Sequence, residues 1–144
     1  MSRPLRIMIT SFLVVIAALV LSACSSSQAG KTGGTPTELQ NGATRAIEAY
    51  IQALSKQDAA QLSNLSCSSW EADALVEMDS LAGVGSKVEN LTCHQTEING
   101  TDTYVACSGD LALDYNGEVQ QIDLSKRTYI ARQEAGEWRM CGYR

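Results

Sequence analysis

The chain has 144 residues, five of them cysteine, with eleven Lys plus Arg against sixteen Asp plus Glu and a formal charge of −5. That length holds one ordinary domain. The acidic balance repels phosphate backbones and anionic headgroups, so nucleic acid and direct binding to a lipid surface are excluded as partners.

Met1 to Arg6 carries two arginines and no acid, and Ile7 to Leu21 is an almost unbroken apolar run that leads straight into Leu21-Ser22-Ala23-Cys24. This is the order of a secretory signal. The run falls short of the roughly 20 residues that a spanning helix needs. Leu21 to Cys24 resembles the bacterial lipobox in every position. The resemblance implies that the Cys24 thiol receives a diacylglyceryl group and that cleavage falls on its N-terminal side. Two or more acyl chains hold a protein stably to a membrane where one does not. Ser25 to Pro36, SSSQAGKTGGTP, has the composition of a flexible tether. The expected organisation is therefore a lipoprotein signal peptide over 1–23, a lipidated cysteine and tether over 24–36, and a domain over 37–144. The expected location is the extracytoplasmic face of the cell membrane, or the outer membrane in a Gram-negative source. From Cys24 on, nine bases stand against sixteen acids, a net charge of −7 that serves solubility.

In the domain, Ala43, Ala46, Ile47, Tyr50, Ile51 and Leu54 recur at helical spacing and predict one buried face. Thr37 and Glu38 after Pro36 start this helix, and Ser55 to Asp58 ends it. A second, short helix over Ala59 to Leu65 turns Leu62 and Leu65 inward. Ser68-Ser69-Trp70-Glu71 reads as a capping box, in which the Ser68 hydroxyl caps a helix and Glu71 reaches back. That third helix runs to about Leu81, and Gly83 and Gly85 close it.

From Lys87 the period falls to two, and Asn99-Gly100 and Asn116-Gly117 mark hairpin turns. Val105, Cys107, Leu111, Leu113 and Tyr115 share one apolar face. A two-residue turn at Asn116-Gly117 sets 115 against 118, 113 against 120 and 111 against 122, which brings Ile122 and Leu124 onto that face. A last hairpin through Gln133 to Gly136 returns to Trp138 and Met140, expected on the face of Ile130. The fold class is α+β, with N-terminal helices packed on a curved four-stranded antiparallel sheet.

Ala46 to Leu54 running into Asp58-Ala59-Ala60-Gln61-Leu62, with Gly136-Glu137-Trp138-Arg139-Met140-Cys141 at the end, resembles the nuclear-transport-factor-2-like superfamily. More narrowly, it resembles the small lipoproteins of that superfamily in high-GC Gram-positive bacteria. The resemblance covers Thr37 to Arg144 and implies a curved sheet wrapped around a long helix, a cone that encloses a pocket. Its members include isomerases, dehydratases, carriers and non-catalytic adaptors, so the fold does not decide the function.

The lone histidine, His94, lies beside Cys93 on a strand, and neighbours on a strand point to opposite faces and cannot act as nucleophile and base. Asp110, Asp114 and Asp123 fall at outward or turn positions. No CxxC or HxxxH pattern offers a metal site, and no cofactor is implied. Tyr50, Trp70, Tyr129 and Trp138 are candidates to line a pocket, with core packing the favoured alternative because the chain has one Phe.

Cys67, Cys93, Cys107 and Cys141 permit three pairings in an oxidising location. A three-residue loop over Asn99 to Thr101 would set Cys93 opposite Cys107, whereas a two-residue turn would set it opposite Ala106. With Trp138 and Met140 inward, Cys141 falls on the other side of its strand or at the sheet's end. The resemblance implies the Cys67 to Cys141 pair, since similar lipoproteins place a cysteine after the second helix together with one at the Trp-x-x-Cys end. The residues favour a membrane-tethered, non-catalytic binding or accessory module whose partner is an envelope protein or a small ligand. The alternative is a carrier of a small apolar ligand in the cone, and an isomerase or dehydratase ranks behind both.

Replacing Cys24 tests the anchor. Cys24→Ala is expected to leave an uncleaved precursor, or one that partitions into the aqueous phase of a detergent separation. A variant processed and membrane-bound like the wild type would refute the lipid anchor.

Overall fold

The computed structural model describes residues 36–144, so the signal peptide, Cys24 and the tether expected before Pro36 lie outside the described residues. The described residues fall in one compact unit, and the core described below is complete within it, which is the condition for folding alone.

Helix α1, Pro36–Ser55, starts on a proline, which the first turn accepts because its missing amide would have no partner there. Ala43, Ala46, Ile47, Tyr50, Ile51 and Leu54 are all buried, and so is Ala53. The extra burial arises because the helix is enclosed on more than one side. Gln57, at φ 54°, donates from Nε2 to the carbonyls of Leu81 and Val84 at 3.0 and 2.9 Å. This ties the end of α1 to the loop before the sheet. Asp58 caps α2, Ala59–Leu65, by accepting from the Gln61 amide at 3.0 Å.

The capping box at Ser68 does not form. Helix α3 runs Glu71–Asp79, two residues shorter than expected, with Trp70 at the cap position and no side chain capping it. The amides of Trp70 and Glu71 donate instead to the Cys67 carbonyl at 2.9 Å each. Ser68 gives its amide and hydroxyl to the Glu134 carboxylate, at 3.1 and 3.4 Å. Cys67 is itself held to the last strand, its amide donating to the Met140 carbonyl at 2.7 Å. A tertiary anchor thus places the turn, and the local motif loses its register.

The sheet has five strands and not four: β1 Gly85–Asn99, β2 Asp102–Tyr115, β3 Glu118–Asp123, β4 Thr128–Glu134 and β5 Glu137–Tyr143. The order is β1-β2-β4-β5, with β3 also paired to β2. The extra break comes from the short 3-10 turn Leu124–Lys126, started by Asp123, which accepts from the amide and hydroxyl of Ser125 at 2.8 and 2.6 Å. These bonds hold the Asp123 carboxyl below the usual carboxylate range.

At the second hairpin Tyr115 faces Glu118, Leu113 faces Gln120 and Leu111 faces Ile122, the spacing expected from a two-residue turn. Asn116 and Gly117 both take positive φ, 58° and 96°, as such a turn requires. Tyr115 ends the strand exposed and leaves the apolar face. In the last hairpin, Met140 pairs with Ala131, and a register shift separates that pair from Tyr129. Tyr129 and Ala131 are therefore the residues buried with Met140, while Ile130 alternates to the opposite side and is half-buried.

Bulges in β1 bend the sheet. The first hairpin has a two-residue turn, with Asn99 opposite Asp102. That register alone would set Cys93 against Ser108, but an irregularity between Gln95 and Glu97 adds one residue to β1 and brings Cys93 opposite Cys107. A second irregularity between Glu89 and Thr92 lies against Gly109. The cystines join Cys93 to Cys107 and Cys67 to Cys141, with Cα separations of 4.1 and 4.9 Å.

At Gly109 the backbone has φ 105°, and a Cβ there would lie 2.5 Å from the Glu89 carbonyl oxygen and 2.7 Å from that of Asn90. Both obstacles are backbone. Gly109→Ala is expected to cost about 2–4 kcal/mol in denaturant unfolding, from the strained φ and the overlap together. A loss under about 0.5 kcal/mol would show that the bulge yields.

Candidate functional site

A cavity of about 440 Å³ opens between α1, α3 and the sheet, bordered by Tyr50, Ile51 and Leu54 of α1, by Trp70 to Leu81, and by sheet and loop residues that include Leu111, Leu124, Arg127 and Tyr143. Its far wall is aliphatic: Leu111 from β2, Ile122 from β3 and Leu124 from the 3-10 turn. Register accounts for that wall, because Leu111 and Ile122 are cross-strand partners.

The near wall is polar and centres on Glu77. Its side chain is 17% exposed and sits 2.7 Å from Arg127 Nη1. Oε2 accepts from the Tyr50 hydroxyl at 3.1 Å, and Oε1 accepts from Arg127 at 2.7 Å and from the Tyr143 hydroxyl at 3.3 Å. Trp70 Nε1 donates to the Tyr50 oxygen at 3.2 Å. The Arg127 guanidinium lies 4.1 Å from the centroid of the Tyr143 ring, and Trp70 and Tyr129 meet that ring edge-on at 5.5 and 6.1 Å. Among the described residues no buried side-chain N or O lacks a hydrogen-bond partner. The cluster is a closed network in which one carboxylate takes three donors, the condition under which a buried charge is tolerated.

The electrostatics follow from burial. Burial and the neighbouring Glu77 charge raise the Tyr50 phenol well above its ordinary value. Burial pushes Tyr129 up to about 12, with the Arg127 charge working against it. Burial and then Glu77 raise Tyr143. Burial disfavours the Arg127 cation, but the bond to Glu77 outweighs it and holds the guanidinium protonated.

Of the four aromatic residues named from the sequence, Tyr50, Trp70 and Tyr129 border the cavity. Trp138 does not. It is half-buried against α1, where a Cβ on Gly42 would overlap its indole. His94 is exposed on β1. Asp114 is exposed and accepts from the Gly117 amide at 2.6 Å, inside its own turn. Asp110 and Asp123 stand half-buried on β2 and at the end of β3. No group of three or more His, Cys, Asp or Glu among the described residues is arranged to hold a metal ion. Sequence reasoning missed Glu77 and Arg127. The available signal was Asp73 and Glu77 one turn apart on α3, on a side the helix must share with Trp70.

No protein-family model and no curated protein matches the sequence. Solved structures do match. A "putative dehydratase from the NTF2-like family" of Streptomyces avermitilis superposes with a TM-score of 0.51 at 14% identity, over 76% of this chain and 95% of that one. An NTF2-like protein of unknown function from Pseudomonas putida gives 0.50 at 14%, over 76% and 87%. A "putative scytalone dehydratase" from Novosphingobium aromaticivorans gives 0.50 at 11%, over 72% and 79%. The fold is NTF2-like. Two of these fold neighbours carry the name of dehydratase, which overturns the expectation that the chain is not an enzyme. That expectation rested on the missing His and Asp constellation. The NTF2-like cone of this chain instead gathers a carboxylate, three phenols and a guanidinium, drawn from segments whose convergence no linear spacing reveals.

The raised tyrosines give a sign for alkaline stability. Folded phenols that hold protons above pH 10, where unfolded ones release them, add stability that is present below pH 10 and lost as pH rises toward about 12. The melting temperature is expected to fall across that window, and Tyr129→Phe to flatten the fall. Equal slopes in the variant and the wild type would separate Tyr129 from the effect.

Proposed function

We propose that this is a membrane-tethered, extracytoplasmic protein whose cone binds a small, largely apolar molecule between α1, α3 and the sheet. The observation that carries the proposal is the cavity itself: about 440 Å³, with an aliphatic far wall and one polar wall. Sites of roughly 300–1,000 Å³ with apolar walls and a few convergent polar groups are the usual form of small-molecule sites. The aliphatic wall takes the body of the ligand by excluding water. The Tyr50, Glu77 and Tyr143 cluster gives it orientation. The charged n-region, the apolar run and the lipobox ending at Cys24 support the tether, and an anchored carrier keeps an apolar ligand close to the membrane it would exchange with.

A second reading has its own support. Tyr50, Glu77 and Tyr143 are proton-bearing or proton-accepting groups that border the same space, and two fold neighbours are named as dehydratases. In that reading the cone moves a proton on the bound molecule, as in an isomerisation or a loss of water. Glu77 would serve as base through Oε2, which accepts from the Tyr50 hydroxyl alone.

Native mass spectrometry of the mature domain purified from its own envelope is expected to show a retained small molecule that is lost in a variant with Leu124→Trp, provided circular dichroism shows the variant folded. A wild-type domain that carries nothing, and whose Trp70 fluorescence no apolar probe changes, would refute the binding reading. A retained molecule released with one water fewer than its precursor would favour the second reading.

A further inference from the structure

Resting on the reading of the cone as a ligand site, we infer that its ligand class is an amphiphilic amine: an apolar body inside the cone and a cationic head at the opening, between Asp73 and the rings of Trp70 and Tyr143.

The charges around the cavity are two acids and one base, Asp73, Glu77 and Arg127. Arg127 is matched to Glu77 at 2.7 Å and stacked 4.1 Å from the Tyr143 centroid. Asp73 is exposed, and among the described residues no ion pair reaches it. It stands one turn before Glu77 on α3, so the opening presents an uncompensated carboxylate beside aromatic rings. The interior beyond is aliphatic, with Ile51, Leu54, Leu111 and Ile122 offering no polar side-chain atom.

Each ligand class meets this arrangement differently. An ammonium head gains the Asp73 carboxylate and an aromatic surround, a pairing that attracts cations. A hydroxyl gains a hydrogen bond without the charge. A carboxylate faces both Asp73 and Glu77, and the one cation there, Arg127, is already paired to Glu77, so it enters surroundings of net negative charge. The net charge of −7 from Cys24 on adds a field of the same sign.

The test uses the mature chain from residue 24 carrying Cys24→Ser, since the domain has its own core, and titrates it calorimetrically with n-octylamine, 1-octanol and octanoate at neutral pH. Octylamine is expected to bind about fivefold or more tighter than octanol, with octanoate weakest, and the preference to shrink as salt rises. Asp73→Asn is expected to narrow the amine-to-alcohol ratio about two- to fivefold. Octanol binding with no amine preference, or a preference that Asp73→Asn leaves intact, would overturn the inference while the cone remains a ligand site. Failure of all three probes to bind the folded chain would overturn both.

Discussion

The structure depends on β2 bending without losing its partners. This strand pairs with β1 along its length on one side and with β3 and β4 on the other, so any curvature it lacks is denied to the whole sheet. A flat sheet would touch α1 along a line, whereas a bent one encloses it. The bend is made at Gly109, where the β1 backbone approaches within the space a side chain would occupy, and again near Thr96. Extra residues on β1 lengthen the outer edge of the curve relative to the inner one. The burial of Ile47, Tyr50 and Ile51 at 2% exposure or less follows from that enclosure, and those residues then hold the sheet in its curve. Curvature and core are one constraint.

The second tie runs between the helical half and the last strand. Cys67 reaches β5 twice, through its amide to the Met140 carbonyl and through its cystine to Cys141. A bridge spanning 74 residues restricts the unfolded chain by about 4.5 kcal/mol on loop-entropy grounds, against about 3 kcal/mol for the one spanning 14. The longer bridge also fixes where α3 begins, and so where Glu77 falls. The position of the polar cluster therefore depends on a covalent link some distance from it. Arg127 comes from the other direction, just after the 3-10 turn that ends β3.

What was legible in the sequence follows from the range of each signal. Periodicity over α1 and the Asn116-Gly117 turn are local, and local physics placed the α1 core face and the β2–β3 register correctly. The errors lie where a distant contact overrides a local preference. Ser68 has the sequence of a cap but is taken by Glu134. Ile130 is the exception, a local misreading: the two-residue turn after Glu134 sets Ala131 opposite Met140, so Ile130 falls on the other face without any distant contact. At the first hairpin the turn is neither of the two weighed but a two-residue turn at Gly100-Thr101, and Cys93 still meets Cys107 because a bulge that no residue at Thr96 advertises adds one position to β1. Glu77 and Arg127 were illegible for the same reason, since fifty residues separate them and nothing in either neighbourhood names the other.

The use of tyrosine explains why the interior carries chemistry at all. The one phenylalanine of the chain is Phe12, in the apolar run before Cys24, so the domain fills its large core volumes with other side chains. Tyr50 and Tyr129 are the largest of its fully buried residues. A buried phenol brings a hydroxyl that costs roughly 1–3 kcal/mol if left without a partner. The partner found for Tyr50 is a carboxylate, a carboxylate inside the cone needs a cation, and the cation needs a surface to lie on, which Tyr143 provides. Each member is required by the one before it, and phenylalanine at position 50 would remove the need for the set. A core built for stability alone would end at the aliphatic wall. This one goes on to a satisfied polar wall across an open cavity, the arrangement of a site that orients what it holds.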